Sequence, residues 1–81
     1  MLQPDPVAAA ARLKRTTALV RDIRSILRRL DAVLATARAQ GDPSQPAIAE
    51  AREAVERVVT QLSFREQAER RQARQAIRHL R

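Results

Sequence analysis

The sequence predicts an all-α protein, a long antiparallel two-helix hairpin with helices over about 6–40 and 46–80. Three observations lead there. The only glycine and two of the four prolines fall together in "GDPSQP", residues 41–46. Roughly 34 residues on either side contain no Gly or Pro and are rich in Ala, Leu and Arg, which are good helix formers. Both stretches repeat apolar residues at helical spacing.

In the first stretch, Leu13, Val20, Leu27 and Leu34 recur at a strict step of seven, and Thr16, Ile23, Leu30 and Ala37 form a second series. These are the a and d positions of a heptad. A third series, Leu19, Ile26 and Val33, falls at position g. Each central heptad therefore carries three large apolar residues, a stripe wider than the seam of a two-stranded coiled coil and suited to a bundle. Pro6 fits the first helical turn, with Asp5 as its N-cap.

The turn comes next. Gly41 takes a left-handed conformation at little cost and so caps the helix C-terminus. Asp42 and Ser44 are turn formers, and Pro43 and Pro46 disfavour helix in the residues before them. A connection this short favours antiparallel neighbours.

The second helix carries Ile48, Ala51, Val55, Val58 and Leu62 as its heptad, with Val59 beside them. Glu50, Glu53 and Glu56 crowd its early turns, and Arg70, Arg71, Arg74, Arg78 and Arg81 crowd its end, as the helix dipole favours. After Phe64 the seam thins. Arg65, Glu69 and Gln72 stand where apolar residues belong, and Ala68, Ala73, Ile77 and Leu80 resume a weaker stripe. This stretch is expected to be helical but loosely packed, or ordered by a partner. Folding about the turn sets Leu34 near Glu53–Val55, Leu30 near Val58, Leu27 near Val59–Leu62, Ile23 near Phe64 and Leu13 near Ala73–Ile77. The whole chain, 1–81, reads as a single hairpin domain with a flexible start over 1–5.

Composition narrows the function. The formal charge is +7, and fifteen of the sixteen basic residues are Arg, Lys14 being the exception. With many Ala, this usage suits a GC-rich genome as well as an acidic partner. The open end gathers the charge: residues 65–81 carry six Arg against Glu66 and Glu69, whereas residues 47–64 carry two Arg against three Glu. There is no cysteine, so disulfides and thiol chemistry are excluded. The first fifteen residues lack the basic n-region and long apolar run of a signal peptide, and no segment has the ~20 apolar residues of a membrane span, so a cytoplasmic protein is expected.

No Gly-rich phosphate loop, nucleophile constellation or metal-spaced ligand pair is present, so the expectation is a non-enzymatic chain without cofactor, metal or small-molecule substrate. His79 reads as a solvated surface residue, and Asp22 and Asp31 as ion-pair partners on an Arg-rich helix. The over-wide stripe instead points to a protein-interaction module, a small chaperone/adaptor or assembly subunit. Leu19, Val20, Ile23, Ile26, Leu27, Leu30 and Val33 would meet a protein partner or a second copy, the latter forming a helical bundle. The alternative is a small nucleic-acid-binding hairpin contacting phosphates through Arg12, Lys14, Arg15, Arg70, Arg71, Arg74 and Arg78. Aromatic residues that would stack on bases are missing apart from Phe64.

The turn "DPSQP" between two helices resembles the P-x-x-P turn of type III secretion needle subunits. The segment "LDAVLATARAQGDPSQPAIAEAREAVERVV" is similar to the small two-helix chaperones that keep those subunits from polymerising. The similarity covers roughly residues 27–62 and implies a helical hairpin with an assembly or chaperone role. Only the turn prolines Pro43 and Pro46 carry over. The tail "RRQARQAIRHL" departs from the apolar, isoleucine-paired end of needle subunits and is richer in Arg than either group.

Overall fold

The computed structural model describes residues 5–78. The expectations for residues 1–4, for His79, Leu80 and Arg81, and for a helix reaching residue 80 lie outside the described residues. Two helices make up the fold, α1 (Pro6–Gln40) and α2 (Gln45–Arg78), packed along their length as an antiparallel hairpin. α1 has the expected limits, and α2 begins one residue before the expected start. Among the described residues, no helix is long and apolar enough to cross a membrane.

Each end of α1 is capped by the residue that the sequence offers for it. The Asp5 carboxylate accepts hydrogen bonds from the Val7 and Ala8 amides at 2.9 and 3.4 Å, satisfying two of the donors a helix start leaves free. At the other end Gly41 is left-handed, with φ 63° and ψ 33°. Its N–H donates to the Arg38 carbonyl at 3.2 Å, and the Asp42 N–H donates to the Ala37 carbonyl at 2.9 Å. This pair of bonds is a Schellman motif. Asp42 then accepts from the Ser44 amide at 2.7 Å, and the Ser44 carbonyl accepts from the Ile48 amide at 3.0 Å, which starts α2. The chain therefore reverses without leaving these backbone groups unpaired.

The α1 seam is the expected one. Ala9, Thr16, Val20, Leu34 and Ala37 are buried, and Leu13, Ile23, Leu27 and Leu30 are partly so. The α2 seam differs. Its inward row is Ile48, Arg52, Val55, Val59, Leu62, Glu66, Glu69, Ala73 and Ala76, in alternating steps of four and three. Ala51 and Val58, expected inside, are exposed. Phe64, expected opposite Ile23, is 68% exposed, and Ile77 is also exposed.

The reason lies in the open half. A seam through 51 and 58 would run on through Arg65 and Gln72, whereas the observed row brings Ala73 and the fully buried Ala76 against Ala9 and Leu13. The cost is that Arg52, Glu66 and Glu69 enter the seam. Arg52 lays its aliphatic stem along the interface while its charged head reaches out to carboxylates. Glu66 pairs with Arg70 one helical turn on, and Glu69 with Arg65 one turn back.

The hairpin measures 60 × 17 × 13 Å, with a radius of gyration of 18.2 Å. A compact chain of this length would have about 12 Å. Its accessible surface is 6375 Å², where a compact 9.1 kDa monomer has about 4,900 Å². Val20 and Leu34 are the only large apolar side chains among the described residues to be buried.

Candidate interaction surface

Heptad geometry gives the hairpin two unlike flanks. In an antiparallel pair, the g positions of both helices share one flank and the e positions share the other. With the observed seams, the g flank carries Leu19, Ile26 and Val33 from α1 and Ala51, Val58 and Arg65 from α2. The e flank carries Arg24, Asp31 and Arg38 from α1 and Ala49, Glu56, Ser63 and Arg70 from α2.

Side-chain contacts agree with this division. Arg24 donates to the Ser63 hydroxyl at 3.4 Å, and Arg52 pairs with both Asp31 and Glu56, the latter at 2.7 Å. All of these contacts lie toward the e flank. Hydrogen bonds that the Arg52 guanidinium donates to Asp31 and then to Glu56 hold it charged, raising its pKa above the ordinary arginine value. On the g flank, Arg12, Arg15, Leu19 and Arg65 line one shallow depression with Thr16 and Glu69. A second depression, next to the turn, is lined by Val33, Thr36, Gln40, Asp42, Ser44 and Ile48.

The g flank is the apolar one. Leu19, Ile26 and Val33 remain 45–49% exposed, and Val58 is also exposed. The pairs Thr16–Glu69, Arg24–Ser63 and Asp31–Arg52 set the register between the helices. That register brings Val58 to the level of Ile26 and Ala51 to the level of Val33. The result is one apolar strip about four helical turns long, bordered on α1 by Arg15, Asp22 and Arg29.

The candidate interface residues thus divide. Leu19, Ile26 and Val33 are free to meet a partner. Val20 is 2% exposed and belongs to the intramolecular seam, with Ile23, Leu27 and Leu30 partly covered beside it. Val58 and Ala51 join the exposed strip, a role the sequence reading missed because it placed them inside. The repeating four–three step from Ile48 through Ala76 was the signal that could have revealed them.

The candidate anion contacts Arg12, Lys14, Arg15, Arg70, Arg71, Arg74 and Arg78 are all exposed, but they do not share a face. Arg12 and Arg15 lie on the g side, Lys14, Arg70 and Arg74 on the e side, and Arg71 and Arg78 on the outer face of α2. The turn residues Gly41, Pro43 and Pro46 sit in and beside the bend as expected.

Inside the open half is a polar layer. The Thr16 hydroxyl, buried at a d position, meets both Glu69 carboxylate oxygens at 2.8 and 3.0 Å, and Arg65 approaches the same carboxylate at 3.3 Å. No buried side-chain nitrogen or oxygen among the described residues lacks a hydrogen-bond partner. Nor do three or more His, Cys, Asp or Glu side chains gather among them where they could hold a metal ion.

No family model matches this chain, and no curated protein or solved structure matches it.

Proposed function

We propose that this chain is a non-enzymatic helical-hairpin interaction module, acting in the cytoplasm as a small adaptor, chaperone or assembly subunit. The observation behind this reading is the exposed apolar strip of Leu19, Ile26, Val33 and Val58. A contiguous apolar row rimmed by polar residues is the form that protein contact surfaces take. The resemblance of the Pro43–Pro46 turn to two-helix secretion chaperones and needle subunits points the same way.

Ile26→Asp tests it. The site is half exposed, so the hairpin should keep its helicity by circular dichroism while losing association, measured by sedimentation velocity and by recovery of bound host protein. Unchanged association in a folded Ile26→Asp chain would refute the reading.

A second reading rests on the e flank. Lys14, Arg21, Arg24, Arg28, Arg70 and Arg74 lie along it, and its acids Asp31, Glu53 and Glu56 sit toward the turn. That side suits the phosphates of a nucleic acid. Titration against duplex DNA and RNA at two salt concentrations distinguishes the readings: affinity falling steeply with salt supports phosphate contact, and no binding at low salt removes it.

A further inference from the structure

Building on the interaction reading above, we infer that the occupant of the apolar flank is a second copy of this chain, stacked antiparallel with α1 against α1 and the two-fold axis passing near Ile26 and Val58.

Surface area motivates a partner. The hairpin exposes 6375 Å², about 1,500 Å² beyond a compact monomer of its mass, and a standard dimer interface covers about 800 Å² per partner. Stacking two g flanks turns two slabs into a four-helix bundle, the architecture in which an a, d and g stripe is fully used.

The pattern on α1 is self-complementary, as a two-fold interface requires. Leu19 and Val33 stand seven residues either side of Ile26, so a reversed copy sets each Leu19 on the other chain's Val33, and Ile26 on Ile26. Asp22 and Arg29 flank the row in the same way, four residues before Ile26 and three after it. Reversal brings each Asp22 to the other copy's Arg29. Within one chain Asp22 is held by its exposed neighbour Arg21 at 3.3 Å, which leaves its carboxylate open to a second cation.

Charge at the two ends selects the same orientation. The open end carries Arg12, Arg15 and Arg65 on this flank, and the turn end presents Gln40, Asp42 and Ser44. An antiparallel copy lays the basic end of one hairpin on the neutral-to-acidic end of the other. The other two-fold arrangement runs α1 over α2 with both open ends together. It crowds Arg12, Arg15 and Arg65 against their own copies, at a like-charge penalty.

The test uses the full chain, which has no native cysteine. Sedimentation equilibrium should give a mass twice 9.1 kDa. Leu19→Cys and Val33→Cys chains, mixed and oxidised, should form a 19–33 disulfide. Neither should cross-link to itself, because reversal holds like positions about 21 Å apart along the axis, beyond disulfide reach. Asp22→Arg and Arg29→Asp should each weaken the dimer about threefold to tenfold, and the double reversal should restore it. Helicity of every variant is checked by circular dichroism, and these exposed sites should leave it unchanged. A concentration-independent monomer overturns the second copy as occupant; the interaction reading is then judged separately, by whether Ile26→Asp abolishes a complex with a host protein. A dimer that gives Leu19 self-cross-links, or no mixed product, overturns the antiparallel arrangement.

Discussion

The two halves of the hairpin are joined by different means. Near the turn, large side chains meet: Leu34 is buried, and Leu27, Leu30, Ile48, Val55, Val59 and Leu62 are partly covered around it. Arg52, Asp31 and Glu56 tie the flank, and the Schellman turn closes the end. At the open end Ala9, Ala73 and Ala76 pack with Leu13, and the layer between is Thr16 against Glu69. Alanine lets two backbones approach but removes little apolar surface from water, so each residue there stabilises less than a leucine, which contributes roughly 2 kcal/mol when fully buried. The basic residues also concentrate at that end and repel one another. One chain thus contains a half that holds itself together and a half that depends on close fit and a polar pairing. Amide exchange should separate them, with protection through Leu27–Leu34 and Val55–Leu62 outlasting protection around Ala9–Leu13 and Ala73–Ala76.

The largest expected effect comes from exchanging these two strategies. Leu34→Ala removes a buried branched side chain where the neighbours cannot fully collapse, and should cost about 2–4 kcal/mol. In so small a domain that could unfold the whole hairpin. Ala76→Leu does the opposite at a position with no free surface; it should cost about 1–3 kcal/mol by forcing the helices apart. Urea unfolding followed by circular dichroism gives both magnitudes, and amide exchange gives their location. Damage from Ala76→Leu should stay in the open half, leaving the Leu27–Leu34 amides protected. Equal loss at both ends would mean that the hairpin opens as one cooperative unit and that the contrast between halves has no dynamic consequence.

The polar layer is the next test. Thr16→Val keeps the shape and removes the hydroxyl that Glu69 accepts from, at an expected cost of about 1 kcal/mol, because Arg65 continues to pair with the carboxylate. Replacing both partners, Thr16→Val with Glu69→Leu, should be neutral or stabilising by denaturation, since an apolar pair avoids the desolvation of a largely covered carboxylate. A polar pair placed within a seam is a means of fixing register. The double variant should therefore keep its helicity while its amide exchange in the open half becomes less uniform. If the double variant is less stable than Thr16→Val alone, the Glu69 carboxylate contributes more than its hydrogen bonds account for.

What could be read in the sequence follows the same division. The turn, the limits of α1 and the a, d and g rows of α1 were legible because each rests on a local rule: one glycine, clustered prolines, large apolar residues at a fixed step. The half-exposed Leu19, Ile26 and Val33 were legible for that reason too. The seam of α2 was not, because two rows at helical spacing run through its first half. Ile48–Ala51–Val55–Val58 is wholly apolar, whereas Ile48–Arg52–Val55–Val59 includes a charge. Propensity and hydropathy favour the first row. Packing favours the second, because only it delivers Ala73 and Ala76 to Ala9 and places Glu69 against Thr16. Phe64 and Ile77 were set inside by the same error. The long-range pairing of Arg52 with Asp31 depends on register and has no local signature.

The smallest expected effect, and the sharpest question about the better-held half, lies at Gly41. Its φ of 63° is left-handed, and a Cβ built there meets no atom within 4 Å. Any penalty for Gly41→Ala is therefore conformational and not steric, about 1 kcal/mol, and Gly41→Asn should cost less because asparagine tolerates this region better. If the seam of Leu34, Ile48 and Val55 sets the reversal, both variants remain hairpins with slightly lower midpoints in urea. Adding Pro43→Ala and Pro46→Ala removes the remaining breakers and permits one continuous helix of twice the length. Small-angle scattering separates the outcomes, because straightening roughly doubles the longest dimension. A triple variant that keeps the 60 Å length assigns the bend to the apolar seam; a straightened one assigns it to the turn residues, and the seam then joins helices that the turn has already brought together.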